Sequence, residues 1–467
     1  MEADTYYPER PMGKPCTGDI LSNLLLALFI SAFVVAPVRL VAEEALPAGR
    51  NATAPDGVKG ADSAGGIEMK GGETLSLDRC IEIALRKSPT ILAAYHAVNA
   101  GQSRVGQARS GYYPQIAASA DYSKYSLSTD PTNAALDQYA ATATLTQNIF
   151  DFGKTWTQVT IQQRNLDASR EDLRNTTSQI VLNVKRAYYG LLQAGKNRDV
   201  FKETVAQFEQ HLNQAKGFFE LGVKSKFDVT KAEVDLSNAK LSLIRAENAL
   251  RIARVILNNA MGTPDASAYT IEDTLSFRKN PITFEEAKQR AYANRPDLKS
   301  ALSRREAAEE SISLARKEYF PVLSGNAKYA RVGETYPPEQ SGWSAGVTFT
   351  FPLFSGFLTN HKVREAKENL NILKANEEAL RQDILLDVQQ AYLNQQEAEE
   401  RVSVAELTVK QAEENFEIAK GRYEAGVGSP IEETDALVAL SNAKTNLIAA
   451  LSDYKIAEAA LAKAMGE

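Results

Sequence analysis

Few side chains in this chain of 467 residues are of types that do chemistry, and most of those stand alone. The two cysteines, Cys16 and Cys80, and the three histidines, His96, His211 and His361, lie far apart with no metal-ligand spacing among them. No nucleophile, base and acid cluster, and there is no P-loop or glycine-rich phosphate loop. The reading is of a protein that is not an enzyme and uses no cofactor. What remains is an acidic group in "RYEAGVGSPIEETDAL", residues 422–437. Gly426, Gly428 and Pro430 break a helical pattern, and Glu432, Glu433 and Asp435 follow at once. Glu432 and Asp435 are three positions apart, which sets both on one helical face. Acids in a first turn complement the helix dipole. Whether they also act on something depends on the elements that hold them.

Those elements come in two copies. "SNAK" occurs at Ser237–Lys240 and again at Ser441–Lys444, 204 residues on. Ala187-Tyr188 returns as Ala391-Tyr392, and Met261-Gly262 as Met465-Gly466, at the same shift. Pro89 and Pro296, like Pro114 and Pro321, are 207 apart. The acidic stretch itself has an echo in "FFELGVKSKFDVTKAE", residues 218–233. A repeat near 200 residues, seen twice, is a duplication and not a solenoid. The copies run over 73–262 and 284–467, with a polar linker at 263–283.

Each copy reads alike. A helix from Leu77 or Phe284 runs to the proline at 114 or 321. Two extended segments follow, about 114–151 and about 321–354. Long helices then fill 154–262 and 357–465, broken only by the Gly-Val turn. Phe201, Val205, Phe208, Leu212, Ala215 and Phe219 keep 4-3-4-3-4 spacing. Ala232, Leu236, Ala239, Leu243 and Ala246 alternate large residues with alanine, as in a close heptad seam. A helix of about 65 residues spans roughly 100 Å, more than a globular bundle needs.

The extended segments have two unlike faces. Trp343, Ala345, Val347, Phe349, Phe351 and Leu353 alternate with Ser344, Gly346, Thr348, Thr350 and Pro352. Tyr139, Ala141, Ala143 and Leu145 alternate with Thr142, Thr144 and Thr146. Apolar outside, polar inside, with aromatics near the ends is the pattern of a membrane barrel strand. A sheet covering a soluble core is the competing reading. Four strands cannot close a barrel, and lipid tolerates no open edge. A membrane reading therefore requires several protomers to share one barrel.

The address agrees with export. Residues 1–42 read as a signal peptide whose apolar core is Leu24 to Ala36, too short for a span. An uncleaved anchor is the alternative. Residues 43–72, rich in Ala, Gly and Pro, read as a flexible leader. Net charge is −6, so there is no basic footprint for nucleic acid.

Taken in order, the landmarks resemble the TolC family of outer-membrane efflux proteins. The carriers are Tyr112-Tyr113-Pro114 and Tyr319-Phe320-Pro321 before a strand, "NIFDFGK" and "FPLFSGF" at 148–154 and 351–357, the "LGV" and "AGV" turns, and both "SNAK" segments. The likeness covers nearly all of 73–466. It implies a mainly α fold with transmembrane β: a homotrimer whose 12-stranded barrel in the outer membrane continues as a periplasmic coiled-coil tunnel. The implied function is the exit duct of a tripartite efflux or type I secretion system. The implied partners are further copies of the chain, a periplasmic adaptor, an inner-membrane transporter of RND or ABC type, and outer-membrane lipid. A periplasmic coiled-coil adaptor or scaffold without a barrel is the competing function.

The resemblance also assigns roles. Leu221, Gly222, Val223, Ala425, Gly426 and Val427 match the adaptor-docking tip. Glu432 and Asp435 match an acidic pair that rings the narrowest part of the tunnel. Asp228 and Lys231 are their counterparts in the first copy. A tyrosine, an arginine and an aspartate lock the closed tip in some members. Tyr423 and Asp228 match two of these, while Gly428 stands in the arginine's place.

Overall fold

A computed structural model describes residues 72–126, 135–266, 269–279 and 281–467. The signal and leader expected over 1–72 lie outside these residues, apart from Gly72. The first half contains β1 (Thr74–Leu75), α1 (Leu77–Lys87), α2 (Pro89–Arg109), β2 (Gln115–Ser126), β3 (Ala135–Phe150), α3 (Lys154–Glu220) and α4 (Lys226–Ala260). The second contains β4 (Thr270–Ile271), α5 (Phe284–Asn294), α6 (Pro296–Lys317), β5 (Val322–Gly333), β6 (Gln340–Thr350), α7 (Leu358–Glu424) and α8 (Pro430–Ala464).

Two expectations need correction. The opening helix of each half is two helices. Ser88 and Arg295 sit at ψ 120° and 123°, because a proline pushes the preceding residue out of the helical region. Pro89 and Pro296 then start the next helix, where a missing N–H is harmless. The repeated Met-Gly pairs fit against these breaks. A Cβ on Gly262 would come within 2.9 Å of the Lys87 carbonyl oxygen, and one on Gly466 within 2.7 Å of the Arg295 nitrogen. Secondly, β6 stops at Thr350 and does not reach Leu353. Pro352 has no N–H to continue the ladder.

Strands β2, β3, β5 and β6 form one antiparallel sheet in that order. Its register joins Ala118, Ala143, Tyr329 and Trp343 across the sheet. One step along, it joins Ala117, Thr144, Lys328 and Ser344. One-residue alternation thus becomes an apolar face and a polar face shared by four strands. Among the described residues, strands β2 and β6 each keep an unpaired edge. Among the described residues no helix is long and apolar enough to cross a membrane.

The long helices pack in the order α4, α3, α8, α7. Small residues set the spacing: Ala239, Ala419 and Ala436 are buried with Phe208, Phe416 and Leu440. The outer helices keep bare apolar side chains, including Val234, Leu241 and Val255 on α4 and Leu386, Leu393 and Leu407 on α7. Strands β1 and β4 pair in parallel beside α3, and the buried Tyr188 hydroxyl donates to the Glu272 carbonyl at 2.7 Å. In that core burial pushes the Cys80 thiol up to about 12, so it is inert.

Candidate functional site

The two turns are built alike. Val223 N–H donates to Phe218 O at 2.9 Å, and Val427 N–H to Arg422 O at 3.0 Å. Gly222 and Gly426 sit at φ +76° and +74°, the left-handed position that closes such a helix end. Leu221, Val223 and Val427 project outward, 77%, 64% and 70% exposed. Ala425 caps α7 and is exposed as well. Ser225 and Ser429 then open the returning helices. The structure brings the turns together: the Phe218 and Tyr423 rings lie 5.8 Å apart, and Lys224 Nζ lies 5.4 Å from the Tyr423 ring centre.

The three acids of α8 separate. Glu432 and Asp435 are exposed on the same face. Glu432 has one weak partner, Arg422 Nε at 3.6 Å. Glu433 turns the other way and is buried. Its Oε2 lies 2.9 Å from Nδ1 of His211 on α3, whose side chain is buried too. The His211 ring packs 5.1 Å from Tyr423. Two turns further along the seam, Thr204 and Ser441 meet at 3.1 Å, both buried.

The remaining predicted residues have local partners. Asp228 accepts hydrogen bonds from the Ser225 N–H and hydroxyl, both at 3.0 Å. Lys231 pairs with Asp235 on its own helix at 2.6 Å. Tyr423 is fully buried, and its hydroxyl has no hydrogen-bond partner among the described residues. Burial, followed by the Glu433 and Asp228 carboxylates, pushes its phenol above the ordinary range. No arginine fits at 428 on this backbone, since a Cβ there would meet the backbone of Arg422 and Tyr423. Lys224, the first-copy counterpart of Gly428, supplies the cation near Tyr423 instead.

The sequence reading missed His211 and Glu433. A signal was present. His211 lies between Phe208 and Ala215 on the same helical stripe, and Glu433 stands three residues before the seam residue Ala436. Periodicity sets both positions on the packed seam.

A sheet with one polar face, one apolar face and two open edges, continued by paired long helices, is a segment of a channel wall. A family model described as "Outer membrane efflux protein" matches residues 80–263 and 287–467. Outer membrane protein TolC of Escherichia coli (strain K12) is 25% identical over 428 residues, covering 86% of this chain and 85% of that one. The alkaline protease secretion protein AprF of Pseudomonas aeruginosa is 22% identical over 399 residues, covering 81% and 82%. The Campylobacter jejuni CmeC outer membrane channel superposes with a TM-score of 0.71 at 18% identity, over 84% of this chain and 85% of that chain. The chain belongs to the outer membrane efflux protein family. It is an outer-membrane channel, the exit duct of an efflux or secretion system, with a periplasmic helical tunnel. Channels of this family are homotrimers that work with periplasmic adaptors and inner-membrane pumps. Trimerisation resolves the open edges, with each protomer lending its four strands to one barrel.

Proposed function

We propose that the tip is the constriction of this duct, and that Glu432 and Asp435 ring it as a cation-favouring gate. The observation that carries the reading is the sorting of acids on α8: Glu432 and Asp435 stay exposed on one face while Glu433 is buried. Two carboxylates from each of three protomers would surround the axis, attracting cations and repelling anions. The first copy offers Asp228 and Lys231 at the equivalent positions, so the acidic ring comes from the second copy alone. Asp228, Lys231 and Tyr423 border this gate. Leu221 to Val223 and Ala425 to Val427 are the adaptor-facing surface, supported by three bare apolar side chains on glycine-shaped turns. The partner pump is of the RND or ABC type, and the apolar sheet face meets outer-membrane lipid.

Single-channel recording tests the gate. E432A/D435A is expected to weaken block by a trivalent cation about a hundredfold, the factor that a 2.7 kcal/mol loss of binding gives. Unchanged block removes the gate.

A further inference from the structure

We infer that His211 is the positioning residue of the acidic pair: by holding Glu433 in the seam between the two repeats, it fixes the rotation of α8 that presents Glu432 and Asp435. This rests on the gate reading above. On a helix, Glu433 lies about 100° from Glu432 and about 160° from Asp435. Three acids in four positions leave the facing of that first turn undecided by charge alone. One of them must be drawn inward for the other two to share an outward face. His211 does this across 222 residues of sequence, from the first copy to the second, at 2.9 Å.

Two further observations point the same way. The pair has no counterpart in the other half, where Val229 and Asn415 stand at the equivalent positions. It therefore occurs only on the returning helix that carries the acids. Below it, Thr204 and Ser441 continue the same seam with a second buried polar contact at 3.1 Å. A buried carboxylate that loses its partner is strongly disfavoured, so without His211 the Glu433 side chain is driven out of the seam toward water and turns α8 with it. The Tyr423 ring and the Phe218 ring close the seam on the tip side.

The test uses the full-length trimer in planar bilayers, with lanthanum(III) as the blocking cation. H211A is expected to weaken block about tenfold while the trimer remains resistant to heat in detergent. H211N, whose amide nitrogen can take the place of Nδ1, is expected to restore block to within about twofold. A merely structural role would lower trimer yield or heat resistance and leave the block of each open channel unchanged. If H211A alone fails to assemble, H211L fills the space of the ring without offering Glu433 a partner, and the same weakened block is expected. Wild-type block in either variant, with E432A/D435A still impaired, overturns the positioning role and leaves the gate standing. If E432A/D435A has no effect, the gate reading has failed, and the facing of α8 is read directly. Ser441→Cys, buried against Thr204, is then expected to react with an impermeant maleimide about tenfold faster in the H211A background. Equal rates overturn the inference.

Discussion

A Cβ on Gly428 would lie 2.8 Å from the backbone nitrogen of Tyr423 and 2.9 Å from the carbonyl carbon of Arg422. The close approach exists because Gly428 N–H donates to Arg422 O at 2.9 Å, folding the chain back on the end of α7. The obstacle is backbone, which cannot swing aside as a side chain can. Gly428→Ala and Gly428→Arg are both expected to destabilise the tip by about 1–3 kcal/mol through forced overlap. Arginine is expected to restore no lock. Gly426, two residues earlier, fails differently. Nothing lies within 4 Å of its Cβ position, but its φ is +74°. Gly426→Ala is expected to cost about 1 kcal/mol, and Gly426→Asn less. Hydrogen exchange of residues 421–431 reads both. Equal protection in Gly428→Ala and wild type would refute the overlap argument.

The sheet register makes a sharper contrast. Ala143 and Thr144 are neighbours on β3, yet Ala143 lies in the row with Tyr329 and Trp343, and Thr144 in the row with Lys328 and Ser344. The second row already holds a lysine, so it tolerates charge. Ala143→Arg is expected to lose about 2–4 kcal/mol near the middle of the bilayer, and to reduce heat-resistant trimer in outer-membrane fractions. Thr144→Arg is expected to assemble normally and to alter ion selectivity. Equal trimer yield from both variants would mean that the two faces do not meet different solvents.

These faces were legible in the sequence because a strand's period is two, and each residue reports its own side. The Gly-Val turns and long helices were legible for a similar local reason: glycine and heptad spacing act within a few residues. Other features depend on distant partners. The helix breaks at Ser88 and Arg295 carry a visible proline signal. What packs against them, Gly262 and Gly466, lies far along the chain. The His211–Glu433 pair is the extreme case. Each residue alone reads as an ordinary polar side chain, and only the packing of α3 on α8 joins them. A gap at Gly428 was legible, but the overlap that forbids a side chain there was not.

Arg295 offers a pH test away from the tip. Its nearly buried guanidinium bonds Asp297 at 2.6 Å and Asp387 at 3.2 Å, at the junction of α5 and α6. Burial of Asp297 opposes its ionisation, but the hydrogen bonds and charge of Arg295 outweigh this and hold the carboxyl below its ordinary value of 3.8. The folded chain therefore keeps Asp297 ionised at a pH where the unfolded chain has protonated it. The stabilisation is fully present above the unfolded value, and is lost as pH falls through the lower folded value. D297N removes this dependence while keeping the side chain's size. At pH 7, D297N is expected to lower the midpoint of trimer heat resistance, because a charged hydrogen bond worth about 2 kcal/mol is weakened. As pH falls below about 4, the gap between wild type and D297N is expected to narrow. A gap of constant width from pH 7 down to about 3 would show that ionisation of Asp297 does not support this junction.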